Sequence, residues 1–276
     1  MLKEDYHIAV PTAFSDNEEL DIKHTLEHIS KLAGQGVRSV LVCGSTGEQH
    51  SLTLEEKLLL VEALEAYPLT REMEVIFGVS SVRQREAVRL AEAIKHTSIA
   101  GIMLGFPPYI RPSQEEVALY VEEVVKAGQK PTILYNNPLR TGFDLEVDTM
   151  IQLFNTYDQI FGLKEAGNKT QNELAEIIDS CHGIKLYAGG EMELHLKLRI
   201  GFNRLSSIAG NVYPIDVHEW FIRLLHNKTD AQKDINMQQM LHSFYEQGSP
   251  IVTIKTHLHK QGLGAGVCRS PLGQFK

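Results

Sequence analysis

IFGLKEAG, residues 160–167, has the composition of a buried strand that ends in a lysine. Ile160, Phe161 and Leu163 are apolar without polar alternation, and Gly162 allows a neighbouring strand to approach closely. A strand that is apolar throughout is typical of a parallel sheet that is covered on both faces. The segment therefore predicts an α/β fold, in which helices cover a central parallel sheet.

Seven further apolar runs resemble this strand, and helical segments separate them. These runs cover residues 8–14, 39–45, 74–80, 101–108, 131–138, 184–190 and 204–210. Eight strand-and-helix units in a chain of 276 residues are typical of a (β/α)₈ TIM barrel. A doubly wound open sheet is the alternative, but no GxGxxG sequence follows the first run and no P-loop is present. We expect one domain, with the barrel through its eighth strand in residues 1–211. The last barrel helix and a C-terminal helical extension are expected in residues 212–276.

Composition narrows the class of protein and its surroundings. The formal net charge is −8 and no basic block offsets it, so a nucleic-acid partner is not expected. No apolar run approaches the roughly 20 residues of a membrane helix, and the first residues lack the pattern of a signal peptide. Three distant cysteines, Cys43, Cys181 and Cys268, indicate a reducing compartment rather than a disulfide framework. We therefore expect a cytoplasmic protein that binds no membrane.

Lys164 is the residue on which a chemical hypothesis can be built. A lysine withdrawn from water has a lowered pKa, and its neutral amine is a nucleophile for carbonyl carbon. The alternative is a lysine at a strand end whose amine simply reaches water. In a barrel of this kind, catalytic residues lie at the carboxyl ends of the strands, so the other strand ends decide between the two interpretations.

Two other strand ends carry polar groups. The second is followed by Gly44–Glu48, where two hydroxyls stand between glycines, a composition suited to binding a carboxylate or phosphate, or else to an ordinary turn with a serine cap. The fifth contains Tyr135, a candidate proton donor or a packing aromatic, and is followed by Arg140. Together with Lys164, these residues favour chemistry on a carbonyl acid.

Twelve histidines raise the question of a metal site. His24 and His28 stand four residues apart, but they lie on a helix of the predicted outer ring, and no HExxH sequence occurs. We therefore expect surface histidines, no metal and no cofactor. His50 borders the Gly44–Glu48 loop, and its role stays open.

The motifs taken together resemble the family of pyruvate-dependent, Schiff-base-forming lyases that includes dihydrodipicolinate synthase and N-acetylneuraminate lyase. They occur in family order, and the resemblance covers roughly residues 8 to 215. They are GSTGE at 44–48, Tyr109, YNNPLRTG at 135–142, GLKEA at 162–166 and AGN at 209–211.

The resemblance implies a role for each site residue. Lys164 is expected to form an imine with pyruvate and Tyr135 to relay protons. Ser45 and Thr46 are expected to hold the pyruvate carboxylate. Tyr109 is expected to complete a hydroxyl relay with Ser45 of a neighbouring subunit, which implies a homodimer or homotetramer.

Two residues outside the Gly44–Glu48 loop are also expected to bind substrate. Arg140 resembles the arginine that receives the second substrate's carboxylate in the synthase branch, and we expect Ser206 on the eighth strand to contribute as well. The expected activity is condensation of pyruvate with aspartate semialdehyde in lysine biosynthesis.

Other activities stay open. The position of Ser45 is usually a threonine in the synthase branch and a serine in the lyase branch. An N-acetylneuraminate lyase or a keto-deoxy sugar-acid aldolase is therefore the alternative within the family. A barrel that binds a phosphosugar through its seventh and eighth strand ends, and a keto-acid sensor without turnover, are alternatives from other classes.

Overall fold

The computed structural model describes residues 2–228 and 230–273, within which eight parallel strands close into a barrel in chain order. The strands are β1 (Tyr6–Ala9), β2 (Ser39–Val42), β3 (Glu74–Val79), β4 (Gly101–Gly105), β5 (Thr132–Asn136), β6 (Ile160–Glu165), β7 (Lys185–Gly189) and β8 (Arg204–Ser207). β8 closes the barrel on β1 in a register that pairs His7 with Ser206. The predicted (β/α)₈ barrel is confirmed, and the open sheet is excluded.

Eleven α-helices occur in the described part of the chain. They are α1 (Ile22–Gly34), α2 (Leu54–Ala66), α3 (Gln84–Lys95), α4 (Gln114–Gly128), α5 (Pro138–Thr141), α6 (Val147–Thr156), α7 (Gln171–Ser180), α8 (Leu194–Arg199), α9 (Pro214–Leu225), α10 (Ala231–Tyr245) and α11 (Pro250–Lys260). None of the helices in residues 2–228 and 230–273 has the length and apolar character required to cross a membrane.

The first strand begins earlier than the sequence predicted. The expected run was 8–14, whereas β1 covers Tyr6–Ala9 and residues 10–14 form a loop at the barrel mouth. Pro11 explains the early end, because proline has no backbone N–H to donate to a neighbouring strand. The shift brings His7 into the strand, where its side chain is buried.

Buried apolar side chains form two separate clusters. A small cluster inside the strands consists of Leu2, Ala9, Leu41, Ile76, Met103, Ile133 and Tyr187. A much larger cluster lies between the strands and the surrounding helices. Burial of apolar surface at about 25 cal/mol per Å² is the main stabilising contribution of both.

His28 corrects the expectation of surface histidines. It belongs to the buried stripe of α1, with Thr25, Ile29 and Leu32, and its Nε2 lies 2.9 Å from Oδ1 of the buried Asn211. Residues three and four apart share one face of a helix, so a histidine at this position faces the barrel rather than water.

The chain after α11 returns to the barrel mouth. Gly266 pairs with Phe14 in an isolated bridge, at a distance so short that a Cβ on Gly266 would lie 1.5 Å from the Phe14 carbonyl oxygen. Further along, the Arg269 guanidinium lies 4.3 Å from the centre of the Phe14 ring and forms a salt bridge with Glu56. Of the predicted extension, residues 229 and 274–276 lie outside the described residues.

Candidate active site

Lys164 lies on β6 inside the barrel, and only 6% of its surface is exposed. Its register partners are Tyr135 on β5 and Tyr187 on β7. Burial lowers the pKa of the Lys164 amine; Tyr135 opposes that shift, Arg140 adds to it, and the Glu191 carboxylate also opposes it. The environment therefore favours a neutral amine, the form that attacks a carbonyl carbon.

The Tyr135 side chain lies directly beside this amine. Lys164 Nζ is 4.5 Å from the centre of the Tyr135 ring, and the phenol oxygen accepts a hydrogen bond of 2.7 Å from Asn137 Nδ2. Burial raises the pKa of Tyr135, but Lys164, the Asn137 hydrogen bond, Arg140 and a hydrogen bond with Ser45 together lower it below its ordinary value. A phenol with a lowered pKa exchanges protons more readily near neutral pH.

The Gly44–Glu48 loop forms the opposite wall of the pocket. Cys43 and Glu48, which bound it, have φ angles of 56° and 53°, so the loop turns sharply at both ends. The chain at the start of this loop lies very close to β3: a Cβ on Gly78 would be only 2.1 Å from the Cys43 carbonyl oxygen. This turn directs Ser45 and Thr46 into the cavity that contains Lys164.

Glu48 connects the loop to the C-terminal part of the chain. Its carboxylate is fully buried, and Oε1 lies 2.7 Å from Nζ of Lys255 on α11, which is fully buried as well. Oε2 accepts a hydrogen bond of 3.0 Å from the Arg269 backbone N–H. Lys255 also donates to the Val267 carbonyl at 2.6 Å and lies 4.4 Å from the centre of the Phe14 ring. The position of the loop therefore depends on residues more than 200 positions later in the chain.

The pocket above Lys164 has a volume of about 110 Å³. Tyr135, Ser45, Thr46 and Arg140 line it together with the lysine. A cavity of about 610 Å³ lies next to it and shares Gln49 and Ser80 with it; Arg83, Arg85, Arg89, Lys57 and His50 are among the residues that line this larger cavity. The nucleophile and the phenol lie only in the smaller pocket, so we place the chemistry there.

Two predicted site residues do not line this pocket. Tyr109 has a φ of 75° and is 91% exposed. Ser206 is fully buried, and its hydroxyl contacts the Lys164 amine. Their assigned roles stay predictions.

Sequence reasoning missed Glu191, which fixes the end of β8. This buried carboxylate accepts hydrogen bonds from the backbone N–H groups of Ile208 and Ala209, at 2.9 and 3.1 Å, and from the hydroxyls of Ser207 and Tyr245. Its position after two glycines carried no signal that it would accept four hydrogen bonds.

Glu165 belongs to a separate network outside the barrel. It accepts hydrogen bonds from Asn136 Nδ2 at 2.9 Å and from the Gly167 N–H, and burial raises its pKa. No group of three or more His, Cys, Asp or Glu side chains that could hold a metal ion occurs in residues 2–228 and 230–273.

Comparison with known proteins gives a consistent match along the whole chain. The family model described as "Dihydrodipicolinate synthetase family" matches residues 4–276. The 4-hydroxy-tetrahydrodipicolinate synthase of Lachnoclostridium phytofermentans is 26% identical over 272 residues, which are 98% of this chain and 92% of that protein.

Solved structures agree with the sequence match. Dihydrodipicolinate synthase from Aquifex aeolicus is 26% identical with a TM-score of 0.87, over 99% of this chain and 93% of that one. The chloride-inhibited dihydrodipicolinate synthase from Acinetobacter baumannii, a complex with pyruvate, is 26% identical with a TM-score of 0.84, over 99% and 93% of the two chains.

Proposed function

We propose, since the chain belongs to the dihydrodipicolinate synthetase family, that it is a carbon–carbon lyase in which Lys164 forms a Schiff base with pyruvate. The observation that supports this most strongly is the buried amine facing a small pocket with the Ser45 and Thr46 hydroxyls on its wall. A related synthase has been crystallised with pyruvate, which supports the same first substrate here.

The proposed reaction begins with attack of the neutral Lys164 amine on the keto carbon of pyruvate. The keto oxygen leaves as water, which carries one hydrogen from the amine and one proton taken up from the surroundings. A protonated imine remains. The imine withdraws electrons, so the adjacent methyl group loses a proton and becomes a nucleophilic enamine. Tyr135 is the phenol in reach of these proton transfers, and Ser45 and Thr46 hold the carboxylate.

For the second substrate we propose aspartate semialdehyde, whose aldehyde carbon is attacked by the nucleophilic carbon of the enamine. Arg140 supports this choice, because it lines the pocket, and no salt bridge joins it to a carboxylate within the described part of the chain. A guanidinium binds a carboxylate through two parallel hydrogen bonds. The relatives named 4-hydroxy-tetrahydrodipicolinate synthase support the same assignment.

The second candidate is cleavage of N-acetylneuraminate or of a keto-deoxy sugar acid. Ser45 favours it, because the family resemblance associates serine at this position with the lyase branch. Comparing aspartate semialdehyde condensation with cleavage of each sugar acid by the purified protein separates the two. A protein that binds pyruvate and turns over none of them would be a sensor.

We propose a homodimer or homotetramer in which Tyr109 acts in the neighbouring subunit's site. Its 91% exposure in the single chain supports this, because the side chain is free to enter a neighbouring subunit, as the role in trans requires. Tyr109→Phe and Lys164→Ala proteins are each expected to be inactive alone, and mixing them is expected to restore activity. No recovery in mixed oligomers would exclude the role in trans.

All three cysteines are buried and free, in line with a cytoplasmic protein.

Borohydride reduction with pyruvate, followed by peptide mass mapping, tests the central proposal. The wild-type protein is expected to carry one stable adduct on Lys164, and Lys164→Ala none. Lys57 provides a matched control, because it is also a buried lysine close to the pocket, so Lys57→Met is expected to keep the adduct. Absence of an adduct on the wild type at saturating pyruvate would refute the Schiff base.

A further inference from the structure

Beneath the pocket, the Lys164 amine is the first member of a buried hydrogen-bonded chain. Its Nζ donates to the Ser206 hydroxyl oxygen at 2.9 Å, and that oxygen lies 2.8 Å from Nε2 of His7. Ser206 and His7 are 0% and 1% exposed, and β8 and β1 hold them side by side in the sheet. Neither residue lines the substrate pocket.

The direction of the chain follows from the chemistry of its two ends. Burial lowers the pKa of His7 to about 3, and the Lys164 charge adds to that shift, so the imidazole is neutral at physiological pH. The Lys164 amine needs its lone pair for the carbonyl carbon, so it donates an N–H to Ser206, at 2.9 Å. Ser206 then accepts from Lys164, and it donates its own hydrogen to His7 Nε2 in the tautomer that has its proton on Nδ1. The His7 ring packs at 5.3 Å against the Tyr187 ring, which keeps this nitrogen in place.

We propose that Ser206 and His7 are positioning residues for imine formation: they hold one N–H of the Lys164 amine downward, so that the nitrogen lone pair points into the pocket. The inference rests on the proposed Schiff base at Lys164. No proton passes along the chain in this role. The amine keeps its downward N–H while it attacks, and the protonated imine still has one N–H for Ser206 to accept.

The chain has this effect because a lysine side chain is long and flexible. Tyr135 lies beside the amine, and Arg140 and Glu191 act on it only through their charges. Among the described residues, Ser206 is thus the hydrogen-bond acceptor of Nζ, and its hydroxyl is held by His7. Without it the amine samples other rotamers, and a misplaced nucleophile reacts more slowly.

The test measures the rate of adduct formation after the full-length protein is mixed with pyruvate and quenched with borohydride. Ser206→Ala and His7→Leu are each expected to lower the rate at saturating pyruvate about tenfold, the effect of one lost hydrogen bond in the transition state. The pyruvate concentration for half-maximal rate is expected to stay the same, because these substitutions leave the Gly44–Glu48 loop, which holds the pyruvate carboxylate, unchanged. His7→Gln, which can place an amide oxygen near the position of Nε2, is expected to recover most of the rate.

Tyr187→Phe is the matched control, because it alters the aromatic neighbour of His7 and leaves the chain of hydrogen bonds intact. Circular dichroism confirms that each variant is folded, and Ser206→Ala, which removes a single oxygen, decides the outcome if His7→Leu is unfolded. Wild-type rates in both variants, or an equal loss in Tyr187→Phe, would overturn the positioning role. Failure of the wild type to form any adduct is a different result, which would refute the Schiff base itself.

Discussion

Replacing Lys255 with methionine is expected to destabilise the protein strongly, because it leaves a carboxylate buried without its partner. Methionine keeps most of the unbranched length of lysine and removes the ammonium group, and with it the hydrogen bond to the Val267 carbonyl. Glu48 Oε1 then loses the cation at 2.7 Å, and Glu48 remains fully buried with the Arg269 N–H and the Cys268 thiol as hydrogen-bond donors. Removing one member of a buried ion pair costs about 3–5 kcal/mol.

That cost is a large share of the stability of a folded protein, which is about 5–15 kcal/mol. With an unfolding entropy of about 2.1 cal/mol/K per residue, a loss of about 4 kcal/mol in this chain corresponds to a fall in Tm of about 7 °C. Equilibrium unfolding in urea measures the free energy directly, and calorimetry measures Tm.

Two further variants separate the ion pair from the other contacts of Lys255. Lys23 forms an exposed salt bridge of 3.7 Å with Glu27, and Lys23→Met is expected to cost less than about 0.5 kcal/mol. Adding Glu48→Gln to Lys255→Met removes the buried charge, and the double variant is expected to be more stable than Lys255→Met alone. If Lys255→Met cost no more than Lys23→Met, the carboxylate would not depend on this lysine, and the reasoning would be wrong.

The site and the buried histidines give three further expectations. Because burial lowers the pKa of Lys164, the rate of adduct formation with pyruvate is expected to rise with pH to a midpoint below 10.5, and a midpoint at 10.5 or above would contradict the burial argument. Arg140→Ala is expected to reduce use of aspartate semialdehyde at least tenfold more than adduct formation with pyruvate, as single-turnover and steady-state rates would show; equal losses would remove its proposed role. His28 has a folded pKa of about 4 against 6.5 unfolded, so the unfolded state binds more protons between these values, and stability is lost as pH falls from 6.5 toward 4. The loss between pH 7 and pH 5 is about 2 kcal/mol, and urea unfolding of His28→Leu is expected to show a pH dependence smaller by that amount.

The fold was predictable because its signal repeats along the chain. Eight apolar runs between helices leave few arrangements of a chain of this length. The Lys164 pocket was predictable in part for the same reason, since parallel strand ends meet at one edge.

The remaining features depend on contacts between distant residues. His7 looked like a residue before the first strand, and only the closure of β1 on β8 brings it to Ser206. Glu48 lies in a predicted loop, and its partner Lys255 lies in the predicted C-terminal helical extension, far away along the chain. No local pattern distinguishes a lysine that pairs in the core from one that reaches water, because the difference is set by which helix face meets the barrel.

The anchoring of Glu48 also sets an order in time. Synthesis begins at the N-terminus, so the carboxylate loop emerges long before its partners, and Arg269 follows Glu48 by 221 positions. Until α11 and the segment after it leave the ribosome, a barrel that has already closed would hold Glu48 without its cation. Glu48 thus acquires both its cation and the Arg269 N–H only after synthesis has passed residue 269.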